Sequence, residues 1–118
     1  MESSKPVMYI FVNSDLKMST GRIAAQVGHV VGRVVEKLIR DGYENLHPSL
    51  DYINFMTWRD NCIKIILKAT PAELSELAKL DGATSFIDSN DRFPANSLTT
   101  VAFNPGVINE SFLNFKLL

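Results

Sequence analysis

Six polar residues recur at helical spacing in the segment that begins at residue 22, and they are the first candidates for chemistry. They are Arg22, Gln26, His29, Arg33, Lys37 and Arg40. Intervals of three and four residues place side chains on one side of an α-helix, so the six would form one polar stripe. Four of them carry a permanent positive charge, which suits the phosphates of a nucleic acid. An ordinary solvated helix face is the alternative explanation of the same spacing.

The loop before the polar stripe adds a further cation, Lys17. An ammonium group there could bind a phosphate. A helix that begins near Ser19 or Thr20 would point unpaired N–H groups at the same place. Gly21 would allow a ligand to approach the backbone closely. The loop is not a nucleotide-binding P-loop, because the second glycine of that motif is missing.

Asp88 is the best candidate for a general base, because it ends a predicted strand. A carboxylate can take a proton from water, and burial would help by raising its pKa. A turn-capping role is an equal alternative, since residues 88–91 form the turn-rich run DSND. His29 could also act as a base, but holding a neighbouring element by a hydrogen bond is the more ordinary role. We expect Gln26 to be exposed, because a buried amide is costly without partners.

Composition limits the remaining function classes. The single cysteine, Cys62, excludes an internal disulfide and a thiolate zinc cluster, and we expect it to be a small buried filler. The 118 residues carry a net charge of −1, so RNA binding would require locally concentrated positive charge. No segment approaches the roughly 20 apolar residues of a membrane span. No signal peptide is recognisable either, so we expect a cytoplasmic protein.

Hydrophobic patterning predicts the elements that must position these residues. The predicted strands are 7–12, 62–68, 84–87 and 98–103, and the predicted helices are 20–40, 48–58 and 70–80. The pair Asp41-Gly42 predicts the end of the first helix. Strands that alternate with helices favour a three-layer α/β/α sandwich. We therefore predict one domain over residues 1–118 with a mixed, mostly parallel four-stranded sheet and a flexible segment 1–5.

Residues 15–29 carry the most specific motif in the chain. They read DLKMSTGRIAAQVGH, which resembles the D-L-K-M-x-x-G-K-x-A-A-Q-x-x-H signature of the archaeal/eukaryotic-type (type 2) peptidyl-tRNA hydrolase family. Residues 63–69, 70–80 and 97–105 are similar to later strands and a helix of that family, so the resemblance spans nearly the whole chain.

The resemblance implies an enzyme that cleaves the ester between a peptide and the terminal ribose of tRNA. It implies a peptidyl-tRNA substrate, no metal or organic cofactor, and an assembly that is often a homodimer. The catalytic residues it implies are Lys17, Gln26 and Asp88. The residues expected to bind the tRNA are Gly21, Arg22, His29, Arg33 and Lys37.

Two departures from the family pattern keep a second function open. Arg22 stands where the family usually has lysine, and arginine can clamp a phosphate but cannot give up its proton. The loop at residues 88–97 is about two residues shorter than is usual and lacks the threonine that the family places there. In it, Asp91 adds negative charge, which Arg92 could offset. The alternative is therefore a catalytically weakened relative that binds tRNA or a protein.

Overall fold

A computed structural model describes residues 5–88 and 96–118. The described elements are β1 (Met8–Asn13), α1 (Thr20–Glu44), α2 (Leu50–Trp58), β2 (Lys64–Ala69), α3 (Pro71–Leu77), β3 (Ala83–Asp88) and β4 (Ser97–Phe103), with short 3-10 helices at Ser14–Leu16 and Glu110–Asn114. No helix in this part of the chain has the length and apolar character to cross a membrane. Most of the predicted flexible N-terminus and the predicted loop 89–95, including Asp91 and Arg92, lie outside the described residues.

The four strands form one mixed sheet in the order β2-β1-β4-β3. Only the pair β1·β2 is parallel, and β1·β4 and β3·β4 are antiparallel. The prediction of an α/β fold with a mixed four-stranded sheet is confirmed, but the prediction of a mostly parallel sheet is wrong. Strands β1, β2 and β3 run in the same direction, but β4 runs the opposite way and lies between β1 and β3, so β1 and β2 are the one pair of parallel neighbours among the described strands.

The central strand β1 buries side chains on both faces of the sheet. Its residues alternate between two apolar clusters, since successive side chains of a strand point to opposite faces. One cluster contains Tyr9 and Phe11 with Leu74 of α3, and we call this side the α3 face. The other contains Ile10 and Val12 with residues of α1 and α2, and we call this side the α1 face.

Helix α1 begins where the sequence predicts and continues further than predicted. The side chain of Ser19 caps it by accepting a hydrogen bond from the Arg22 N–H, and its apolar stripe is buried on the α1 face at Val30, Val34 and Leu38. The expected stop at Asp41-Gly42 is wrong, because the helix runs on to Glu44. Gly42 is instead the point where the ring of Tyr52 from α2 packs against the backbone of α1.

Substituting alanine at two glycines of α1 should therefore have opposite effects on stability. A methyl group at Gly42 would overlap the Tyr52 ring, so we expect Gly42→Ala to lower the free energy of unfolding by about 1–3 kcal/mol. At Gly32, which has open space around it, alanine should be neutral or stabilising by up to about 1 kcal/mol. Urea denaturation of both variants measures the difference, and equal stabilities would contradict the close α1–α2 packing.

Candidate active site

A buried chain of hydrogen bonds joins α1 to the two strands at one side of the sheet. The Nε2 group of Gln26 donates to Oδ2 of Asp88 at 2.7 Å. The hydroxyl of Thr99 donates to Oε1 of Gln26 at 2.6 Å. Gln26 is only 4% exposed and Thr99 is fully buried. The expectation of an exposed Gln26 is therefore wrong, and its burial is tolerable because both ends of its amide are paired.

The carboxylate of Asp88 determines which group donates and which accepts in these hydrogen bonds. An ionised carboxylate can only accept hydrogen bonds, so the amide must present its NH₂ group to Asp88. Its carbonyl oxygen then faces Thr99, whose hydroxyl must donate. The amide of Gln26 is consequently committed to two protein partners, and its orienting effect falls on the carboxylate of Asp88.

A β-bulge brings Thr99 into this chain. Strict alternation along β4 would point Thr99 to the α3 face, because Ala102 lies on the α1 face and Val101 on the α3 face. The pairing of β3 with β4 shifts between Phe86 and Ile87, which leaves Thr99 without an opposite residue. A bulge re-aims the side chain of its extra residue, and here it turns the hydroxyl towards Gln26.

Sequence reasoning missed Thr99. The only signal was a pair of threonines, Thr99 and Thr100, in an otherwise apolar strand. Both are fully buried, and the sequence does not indicate which of the two faces the candidate site. The residue pattern also gives no sign of the shift in strand pairing.

The polar stripe of α1 packs along β3 instead of facing solvent alone. The ring of His29 stacks on Phe86 with centroids 4.7 Å apart, and Cζ of Arg33 lies 5.3 Å from the centre of the same ring. Lys37 donates from Nζ to the hydroxyl of Thr84 at 2.8 Å. The expected hydrogen bond from His29 is thus replaced by a ring contact, and the stripe is neither a plain solvated face nor an open row of cations.

The dimensions of helix and strand explain this match. From Gln26 to Lys37 the helix rises by about 16 Å, and from Asp88 back to Thr84 the strand extends by about 13 Å. Alternate residues of β3 therefore meet successive turns of α1. The Asp88 end of this contact is the end that carries the candidate site.

Lys17 lies at the same end of the sheet but outside the hydrogen-bonded chain. It has left-handed backbone angles, with φ at 46°, and its side chain is exposed. It lines a cavity of about 160 Å³ with Met18, Ile23 and Lys68 among others. Ile23, which also lines this cavity, is one helical turn before Gln26. The side chain of Lys17 makes no hydrogen bond to Gln26 or Asp88 within the described ranges.

The remaining predicted binding residues lie in the first turn of α1. Arg22 is half-buried, and its guanidinium group has no hydrogen-bond partner among the described residues. Gly21 is exposed, and a side chain added there would meet no atom within 4 Å. The two positions therefore border open space next to the cavity that Lys17 lines.

Cys62 takes no part in the site. It is exposed, so the prediction of a buried filler is wrong, and it precedes β2 at the opposite end of the sheet. In residues 5–88 and 96–118, no three His, Cys, Asp or Glu side chains are grouped as a metal ion would require.

The fold and the buried network define an α/β protein with a polar site at one end of a mixed sheet. Residues 6–118 match the model of the family described as peptidyl-tRNA hydrolase PTH2, and since this covers nearly the whole chain, the protein belongs to that family. A comparison with curated proteins found no significant match. The family resemblance of residues 15–29 is thereby confirmed.

Lys37 provides a test of the contact between α1 and β3. Burial lowers the pKa of Lys37 from its ordinary 10.5 by desolvating the ammonium group, although Asp51 and Asp41 act in the opposite direction. At pH values below the pKa that Lys37 has in the folded protein, its charge therefore destabilises the folded state. This cost disappears as the pH rises towards 10.5, where the side chain is neutral in both states.

We expect the wild-type protein to gain stability relative to Lys37→Met as the pH rises from neutral towards the ordinary lysine pKa. Denaturation curves across this range measure the difference. Lys79→Met is the matched control, because Lys79 is exposed and its side chain pairs with the nearby Glu76. Parallel pH profiles for the wild type and Lys37→Met would contradict the desolvation of this side chain.

Proposed function

We propose that this protein hydrolyses the ester that joins a peptide to the terminal ribose of tRNA. Membership of the peptidyl-tRNA hydrolase PTH2 family supports the reaction class. The single structural observation that supports it best is the chain Thr99–Gln26–Asp88, which holds a carboxylate in one orientation at the edge of the site. A general base needs such fixed placement to act on a bound water.

In the proposed reaction, Asp88 accepts a proton from a water molecule as the water oxygen attacks the ester carbonyl. The carbonyl oxygen becomes an oxyanion, and the bond to the ribose oxygen then breaks. The proton passes to the departing ribose oxygen, so the products are the free peptide and a tRNA with its terminal hydroxyl restored. Lys17 supplies positive charge for the oxyanion or for the terminal phosphate.

Gln26 acts in this scheme as a positioning residue. Its amide is engaged by Asp88 and Thr99, so it orients the base and leaves the ester carbonyl to other donors. Thr99 supports the same task one step further from the substrate. The buried pair therefore affects the rate of the chemical step more than the affinity for substrate.

The tRNA end would be held at the start of α1. Arg22 can grip a phosphate in a bidentate manner, and the open backbone at Gly21 adds N–H donors of the first helical turn. His29, Arg33 and Lys37 already contact β3, so we propose that they contribute mainly through the field of the stripe. The proposed steps need no metal ion, so we expect hydrolysis to persist in the presence of a chelator.

A peptidyl-tRNA release assay with site variants tests the mechanism. Asp88→Asn should lower kcat by about 10²–10⁴-fold, the usual contribution of a general base. Gln26→Met should lower kcat by roughly ten- to a hundredfold with little change in KM, because the base loses its orientation. Asp60→Asn, which alters an exposed aspartate at the far end of the sheet, is the control.

The variant Gln26→Glu distinguishes positioning from a merely structural role. A second carboxylate beside Asp88 would raise the pKa of the pair, so the pH–rate profile should move to higher pH. Equal rates for the wild type and Asp88→Asn would refute the assignment of the base. Retained tRNA binding without any hydrolysis by the wild type would instead favour the binding-module alternative.

Gly21→Ala separates substrate approach from folding. Open space around Gly21 means that alanine should leave stability unchanged or slightly higher. If the substrate approaches the backbone there, KM should rise severalfold, while Gly32→Ala on the same helix should leave KM unaltered. Steady-state kinetics with both variants provide the comparison, and an unaltered KM for Gly21→Ala would exclude close contact at that position.

A further inference from the structure

A second cavity adjoins the one that Lys17 lines. The cavity beside Lys17 measures about 160 Å³, and the next measures about 340 Å³. Ser14 and Lys68 line both, so the two cavities are neighbours at the carboxyl ends of β1 and β2. Lys116 lines the larger one. We call the two adjoining cavities together the lysine groove, after Lys17, Lys68 and Lys116.

Backbone contacts hold the walls of the lysine groove in place. The Lys68 N–H donates to the carbonyl of Lys116 at 2.8 Å, and the Leu118 N–H donates to that of Ile66 at 3.0 Å. The hydroxyl of Ser14 donates to the carbonyl of Ala69 at 3.1 Å. Three separate segments are thus fastened side by side, and each contributes a lysine to one or both of the adjoining cavities.

Among the side chains that line the lysine groove, three are cationic and one is acidic. The side chains of Lys17, Lys68 and Lys116 are exposed, and none of them pairs with a carboxylate in the described residues. Glu73 is the acidic side chain that lines the groove, and its Oε1 accepts a hydrogen bond from the Thr70 N–H in the capping box of α3. The groove therefore favours an extended anion over a neutral or cationic ligand.

The position of the lysine groove relates it to the proposed reaction. The base Asp88 ends β3, and Lys68 lies near the end of β2, three strand positions away in the order β2-β1-β4-β3. Since neighbouring strands lie about 4.8 Å apart, the ends of β2 and β3 are about 14 Å apart. Stacked nucleotides rise by about 3.4 Å each, so this span exceeds the length of the single nucleotide that carries the ester.

We propose that the lysine groove binds the phosphodiester backbone of the single-stranded 3′ end of the tRNA, upstream of the nucleotide whose ester is cleaved. This proposal rests on the proposed function, because the position of ester cleavage determines which end of the RNA strand lies near Asp88. A nucleic acid fits better than the peptide part of the substrate, because each nucleotide presents a phosphate whatever its base, whereas peptides of varied sequence carry no regular charge. The groove is separate from the polar stripe of α1, so it adds phosphate contacts that the stripe does not supply.

Binding of a fluorescently labelled, eight-nucleotide single-stranded RNA, followed by anisotropy over a range of salt concentrations, tests the proposal. Lys68→Ala and Lys116→Ala should each weaken binding on the order of tenfold and reduce the salt slope by about one. Lys79→Ala, which removes an exposed lysine elsewhere, is the matched control. Lys68→Arg should retain binding, which separates lost charge from damaged folding. Affinities and salt slopes equal to those of Lys79→Ala would overturn the proposal.

Kinetics distinguish a failure of this proposal from a failure of the proposed function. For the Lys68→Ala Lys116→Ala double variant, KM should rise more for peptidyl-tRNA than for an N-blocked aminoacyl ester of adenosine, which lacks upstream phosphates. An equal rise for both substrates would assign the groove to the peptide or the ester and overturn the proposal. If the wild type hydrolyses neither substrate, the proposed function fails, and the RNA titration still decides whether the groove binds a phosphate backbone.

Discussion

The buried amide of Gln26 must be hydrogen-bonded at both ends, and its partners join the helix and the two strands that carry the site. Gln26 lies in the interior with an acceptor-only carboxylate on one side and a hydroxyl on the other. Leaving either end unpaired would cost on the order of 1–3 kcal/mol. Helix α1, β3 and β4 must therefore keep their relative positions for the amide to remain buried, and the orientation of Asp88 follows from the same constraint.

The mixed sheet makes that arrangement available. Because β4 lies between β1 and β3, the strand that carries Thr99 passes directly beside the strand that carries Asp88. The side chain of Asn13 donates to the carbonyl of Leu98 at 2.9 Å, which ties the end of β1 to the start of β4. The loop that bears Lys17 follows at once, so the cation and the carboxylate are placed on neighbouring parts of one sheet end.

Local sequence patterns predicted the elements well and their assembly only in part. The helical spacing around Gln26 and the helix that follows β2 depend on short-range patterns, and both helices appear in the structure. The antiparallel pairing of β4 and the bulge at Thr99 depend on residues distant in the chain, so no local pattern predicts them. The burial of Gln26 was missed for the same reason, since its partners come from β3 and β4.

The tail that carries Lys116 also covers the outer edge of β2, through the bridge of Leu67 with Leu117 and the hydrogen bonds on either side of it. An uncovered edge strand offers free N–H and C=O groups to other chains and promotes aggregation. The same few residues thus contribute to the lysine groove and cover a strand edge that could otherwise pair with another chain. If the groove binds RNA as proposed, substitutions in this tail would change solubility as well as RNA affinity, and a single activity measurement would merge the two effects.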